Sequence, residues 1–137
     1  LRERQLPAAQ SQGVGLEVAG GFTACLDSNR GNLLCLIAGN LIENALQASP
    51  VGTKVRATLV LAGDRLGLTV ADEGGGIPEE VRHRLFLPGR SSKAGGTGLG
   101  LAISHLLALE IGADLALVRT TATGTTFSVS LPLRPAR

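Results

Sequence analysis

The chain has 137 residues, 44% hydrophobic and 18% charged, which fits one globular domain with a real core and excludes a disordered segment. A formal net charge of +2 is too small to hold nucleic acid or a membrane by field alone. Aromatics at 2%, with no Trp or Tyr, supply no platform for stacking single-stranded bases. Cys25 and Cys35 lack ligand spacing and read as buried small hydrophobes of a reducing compartment. His83 and His105 have no sequence partners, so a His/Cys metal site is not expected. No apolar run reaches the roughly 20 residues that span a bilayer, and no signal peptide is visible. The absence of Met and the start at Leu1 suggest a piece of a longer polypeptide.

Residues 1–12 are polar and Gln-rich, and read as a linker from a preceding segment. Gly15 to Asp27 holds two short β-like runs broken at Gly20-Gly21, a hairpin or a pair of edge strands. Asp27 or Ser28 offers an N-cap for a helix over Gly31 to Ser49, with Leu33, Leu34, Ile37, Leu41, Ala45 and Leu46 as its apolar stripe. Pro50 and Gly52 stop it. Val55–Ala62 and Arg65–Ala71 alternate as strands around Gly63-Asp64, and the second runs into Asp72. Leu99–Ile111 reads as an apolar helix, with Gly98 at its mouth and Gly112 at its end. Ala113–Arg119 and Thr125–Leu131 form a last pair of strands, and the Pro- and Arg-rich end frays. This order predicts an α+β two-layer sandwich, one mixed and mostly antiparallel sheet with helices on one face.

Three features carry chemistry. Asn40 and Asn44, one turn apart, project side by side from an otherwise apolar helix. They could present amide oxygens to Mg²⁺ beside phosphates, or simply bond nearby backbone. Asp72-Glu73-Gly74-Gly75-Gly76-Ile77 ends a strand with a carboxylate, which could accept from an exocyclic amine such as that of adenine, or form an ordinary turn. Gly96-Thr97-Gly98-Leu99-Gly100 opens a helix whose free N–H groups and dipole suit an anion. It follows a loop rather than a strand, against a dinucleotide fingerprint, and no P-loop is present.

In this order and spacing the three resemble the ATP-binding domain shared by DNA gyrase, the large heat-shock chaperone, histidine kinases and mismatch-repair MutL proteins. NLIENALQAS (Asn40–Ser49) looks like the N box of that superfamily and DEGGGI (Asp72–Ile77) its first glycine box. LFLPGRSSK (Leu85–Lys93) is similar to the F box and lid, and GTGLGLAIS (Gly96–Ser104) to the second glycine box. GTTFSVSLP (Gly124–Pro132) is similar to the last strand, with Thr125 at the nucleotide-side threonine position. The match is best to bacterial sensor histidine kinases. Hydrolysing members place a Glu four residues before the metal-binding Asn; here that position is Asn40, which cannot act as a general base near neutral pH. A site of that kind holds ATP and passes its γ-phosphoryl group to an external nucleophile rather than to water.

The resemblance implies that Asn44 coordinates Mg²⁺ and that Asn40 and Lys93 serve catalysis at the phosphates. It implies that Asp72 reads adenine in a pocket shaped by Gly74, Gly76 and Ile77, that Arg90 and Lys93 neutralise phosphate charge, and that Gly96, Thr97, Gly98, Leu99 and Gly100 cradle the phosphates beside Thr125. Gly89 departs from the second Phe common in the lid, and Ser91-Ser92-Lys93 looks more like nitrogen-regulation and citrate sensors. Neither His lies in an acceptor-box context. The expected arrangement is therefore a linker over 1–12, a catalytic domain over 13–133 and a tail over 134–137. The phosphoacceptor His would lie on an absent dimerisation domain, with a response regulator downstream, and the isolated chain would not phosphorylate itself. The domain is expected to be cytoplasmic, contacting neither nucleic acid nor membrane; whether the parent protein is membrane-anchored stays open. A non-catalytic nucleotide switch and an anti-sigma-type serine kinase are the alternatives.

Overall fold

A computed structural model describes residues 15–19, 28–82, 85–86 and 100–132. The linker over 1–12, the second β-like run beyond Ala19, Cys25, His83 and the C-terminal tail lie outside them. Helix α1 (Ser28–Ala48) is the long element of the chain. Its turns contain Asn and Gly, which cost up to about 0.7 and 1 kcal/mol each relative to Ala. Tertiary burial outweighs that cost. Ile37, Leu41, Ile42 and Leu46 are each at most 1% exposed, and full burial of such a side chain stabilises by about 1.5–3 kcal/mol. The helix begins three residues before the expected Gly31. Arg30, buried in its first turn, donates to the carbonyl of Pro132, which ties this end to the far end of the last strand. At the other end the Ser49 hydroxyl donates back to the Ala45 carbonyl (2.8 Å), and Gly52 turns the chain at φ 90°.

Strands β1 (Gly15–Ala19), β2 (Lys54–Ala62), β3 (Arg65–Asp72), β4 (Asp114–Thr121) and β5 (Gly124–Pro132) form one sheet in the order β1-β2-β3-β5-β4. β1 runs parallel to β2; every other pair is antiparallel. Among the described residues β1 is thus an edge strand; the second β-like run, to which both sequence readings also extended, lies outside them. The partner of β1 is β2, 35 residues or more further along the chain, rather than the adjacent segment. Such a non-local parallel pairing leaves no turn signature to read. The short helix α2 (Glu79–Arg82) follows Pro78, and α3 (Gly100–Ile111) precedes β4. The α+β two-layer sandwich is the architecture observed.

One sheet face is apolar and packs against α1 and α3. Its rows run across the strands in register: Ala57–Val70–Phe127–Leu117, then Leu59–Leu68–Val129–Leu115, then Leu61–Leu66–Leu131. Buried members of all three rows belong to the single core cluster, together with the α1 stripe. α3 is apolar all round but buries only Ala102, Ser104, Ala108 and Ile111, while Ile103, Leu106 and Leu109 are exposed. Cys35 corrects the expectation of a buried thiol. It sits on the solvent side of α1, because the core-facing stripe passes through Leu34, Ile37 and Ala38 instead. No helix among the described residues is long and apolar enough to cross a membrane.

Candidate functional site

The apolar face of the sheet ends in a polar row. Asp72 is the last residue of β3, Thr125 stands opposite it on β5, and Thr120 stands opposite Thr125 on β4. Asp72 and Thr125 continue the helix-facing alternation that supplies Val70 and Phe127 one row earlier. Thr125 is 5% exposed, and its hydroxyl lies 2.9 Å from that of Thr120. The Asp72 carboxylate accepts the Gly74 N–H at 2.8 Å, an Asx-type turn that starts the glycine loop immediately past the strand.

That loop is wedged between backbones. A Cβ on Gly74 would stand 2.6 Å from the Ala48 carbonyl oxygen, and one on Gly76 would stand 2.2 Å from that of Thr121. Gly76 also sits at φ 85°, so it needs glycine twice over. Gly75, between them, would meet nothing within 4 Å. The Asp-x-Gly-x-Gly spacing is thus a packing requirement, with the free position outside it. Two further clamps hold the loop: Glu73 accepts the Lys54 N–H at 2.7 Å, and Arg82 donates to the Ile77 carbonyl at 3.1 Å. The Ile77 N–H itself donates to the Thr120 hydroxyl at 2.8 Å.

The helix side meets the same loop. Asn40, Asn44 and Ala48 are spaced i, i+4, i+8, so they share one face of α1. Ala48, at the end of that stripe, supplies the carbonyl that abuts Gly74. Asn40 and Asn44 are half-buried, whereas Glu43 is exposed. The contacts bring Asp72, Gly74, Gly76, Ile77 and Thr125 together at one end of the sandwich, with the C-terminal end of α1 against Gly74. Asn44 and Asn40 lie about one and two turns back from Ala48 along the same helix face. Gly100 is the first residue of α3, at a helix N-terminus as the sequence reading placed it. Arg90, Lys93, Gly96, Thr97, Gly98 and Leu99 lie outside the described residues. Phe86 marks the near edge of that stretch. Its ring stacks on His105 (centroids 5.1 Å apart, 14° between planes) and meets the edge of Phe127 (6.5 Å, 68°). His105 is thus a packing residue, in keeping with its structural reading.

Sequence reasoning missed Thr120, Glu73 and Gly124. A Cβ on Gly124 would stand 2.4 Å from the Asp72 carbonyl oxygen, so this turn glycine also guards the site. Thr120 left no signal in the sequence, because strict alternation from Leu115 and Leu117 puts Arg119 on the inner face. A β-bulge between Leu117 and Arg119 adds one residue to β4 and puts Thr120 there instead. The loop clamp by Glu73 was equally invisible, since it depends on the neighbouring strand.

Residues 29–135 match the family described as histidine kinase-, DNA gyrase B- and HSP90-like ATPase. The sensor protein RstB of Escherichia coli (strain K12) is 37% identical over 119 residues, 82% of this chain and 26% of RstB. The solved structure of full-length ShkA in complex with AMPPNP superposes with a TM-score of 0.80 at 28% identity, covering 98% of this chain and 28% of that one. The mycobacterial sensor histidine kinase MprB gives 0.76 at 30% identity, covering 98% and 93%. The chain spans about a quarter of the length of RstB and of ShkA.

Proposed function

Because the chain belongs to the histidine kinase-, DNA gyrase B- and HSP90-like ATPase family, with sensor histidine kinases among its relatives, we propose that residues 13–133 bind Mg·ATP for phosphoryl transfer to a histidine on a separate dimerisation domain. The observation that carries the reading is the polar row Asp72–Thr125 closing an apolar sheet face beside a loop with no room for a Cβ at Gly74 or Gly76. There the exocyclic amine of a planar heterocycle such as adenine would donate to the Asp72 carboxylate, which the strand end and the tightly packed glycine loop hold in place.

The donor set also suits the metal. Among the described residues no three or more His, Cys, Asp or Glu side chains cluster. A cation near Asn44 would complete its shell with phosphate oxygens, the habit of Mg²⁺. Asn44 would then supply one amide oxygen, and Asn40 would stand a turn away toward the phosphates. Bound Mg·ATP supplies the γ-phosphoryl group. The chain's own residues hold and orient it: Asp72 at the base, Gly100 and the segment before it at the phosphates, and Lys93 with Arg90 as countercharges. Neither Asn40 nor Asn44 can take a proton from water near neutral pH. The arrangement therefore favours transfer to a presented nucleophile, where positioning does most of the work. Use of ATP puts the domain on the cytoplasmic side, and a response regulator would receive the phosphoryl group from the histidine.

The test is calorimetric. Wild-type chain should bind Mg·ADP, and Asp72→Asn should weaken it by about a hundredfold, the scale of a lost charge-assisted hydrogen bond of roughly 3 kcal/mol. Unchanged affinity in that variant would sink the adenine assignment. Incubation of the chain alone with γ-labelled ATP should leave no stable label on protein.

A further inference from the structure

We propose that Thr120 is a positioning residue for the nucleotide base, brought to the site by the bulge in β4. The inference rests on the ATP-binding reading above. Arg119 pairs with Thr126 and Thr120 with Thr125, whereas Leu117 pairs with Phe127, so β4 carries one residue more than β5 across this stretch. Val118 takes up the excess and is 61% exposed. In a regular ladder without the bulge, Val118 would pair with Thr126 and the inner position beside Thr125 would hold Arg119, a cation with no acceptor role to offer the Ile77 N–H. The bulge exchanges it for a hydroxyl, the re-aiming that bulges beside functional sites perform.

That hydroxyl has two tasks. Its oxygen accepts the Ile77 N–H at 2.8 Å, which fixes the far end of the glycine loop against β4. It also meets the Thr125 hydroxyl at 2.9 Å. A hydroxyl that accepts an N–H is polarised toward donating its own proton, so the favoured chain runs Ile77 N–H to Thr120 O–H to the Thr125 oxygen. Thr125 then keeps its own proton for a group in the pocket, next to the Asp72 carboxylate. A carboxylate acceptor beside a hydroxyl donor matches adenine, whose amino group adjoins an acceptor ring nitrogen. It mismatches guanine, whose carbonyl adjoins a ring N–H. Thr120 touches neither the base nor the phosphates in this scheme; it sets the direction of Thr125 and the position of the loop.

The experiment measures Mg·ADP and Mg·GDP affinities of the chain by calorimetry for wild type, Thr120→Val, Thr120→Ser and Asp72→Asn, with melting temperatures alongside. Thr120→Val, equal in shape, should weaken ADP about tenfold and narrow the ADP-over-GDP preference. Thr120→Ser, which keeps the hydroxyl, should stay within about threefold of wild type. Thr120→Val that melts lower yet keeps wild-type affinity and purine preference would reduce Thr120 to a structural residue and overturn the inference alone. Should Thr120→Val fail to fold, hydrogen exchange of the Ile77 amide in wild type decides. Protection in this non-helical loop supports the inference, and exchange at the free-peptide rate overturns it. Wild type that binds no ADP, or Asp72→Asn that binds like wild type, removes the ATP-site reading and the inference with it.

Discussion

Two neighbouring rows on one sheet face show how little separates core from site. Val70, Phe127 and Leu117 form one row; Asp72, Thr125 and Thr120 form the next, on the same three strands. Both rows are set by the same pleat and ladder. The first is apolar and packs within the core cluster. The second is polar, and its groups bond one another and the glycine loop. The site is the rim of the core rather than a separate construction, so its geometry inherits the rigidity of the sheet. Sites built on strands keep their geometry better than sites on free loops.

The largest effect that tests this contrast belongs on the apolar side. Leu131→Ala removes a fully buried side chain from the row farthest from Asp72 and should cost about 2–5 kcal/mol of stability. Mg·ADP affinity at low temperature should be retained by the folded fraction, and denaturant titration with calorimetry checks both halves. On the polar side the glycines should give the reverse pattern. Gly76→Ala forces a Cβ onto the Thr121 carbonyl at positive φ, so nucleotide affinity should fall by about tenfold or more, whereas Gly75→Ala should bind as wild type. Equal affinities in the two variants would refute the wedge.

Ser104 crosses the boundary between the two regimes. It is fully buried, and its hydroxyl has no hydrogen-bond partner among the described residues. Ser104→Ala should be neutral or stabilising by up to about 1 kcal/mol, since it removes an unpaired polar group. A marked loss of stability on melting would reveal a partner for that hydroxyl.

The smallest effect lies on the opposite edge. Glu17 on β1 pairs with Lys54 (3.2 Å) and Arg56 (3.1 Å) on β2. Its hydrogen bond to Lys54, then that to Arg56, holds its carboxyl below the ordinary 4.5. A depressed folded-state value means that the pair stabilises above the unfolded pKa and that this is lost as pH falls through the folded one. The group is solvent-exposed, so Glu17→Gln should barely move the melting temperature at pH 7 and should flatten only the acid limb. A large shift at neutral pH would mean that the parallel edge strand depends on the pair.

How far the sequence reaches can be seen residue by residue. The Asn40/Asn44 spacing, the Asp72-Gly74-Gly76 pattern and the strand alternation are local, and the structure sets the Asp72 loop against the C-terminal end of the helix that carries the Asn pair. Gly75 is the instructive exception. In sequence it looks the same as its neighbours, and only the position of the Ala48 and Thr121 carbonyls separates a required glycine from an optional one. The N-cap signal at Asp27 or Ser28 was local, but the tie that holds the first turn, from Arg30 to the Pro132 carbonyl 102 residues away, was not.

The sequence by itself determined the periods: a 3.6-residue stripe on α1, two-residue alternation on four strands, and glycines where the chain must turn or approach. Those are short-range consequences of backbone geometry, which every residue carries with it. Tertiary structure decided what the periods meet. The parallel pairing of β1 with β2, the clamp of Glu73 on Lys54 and the extra residue at Val118 that puts Thr120 beside Thr125 all depend on which strand lies next door. Pairing register is a property of two segments at once, and a one-residue shift reverses which side chains face the site.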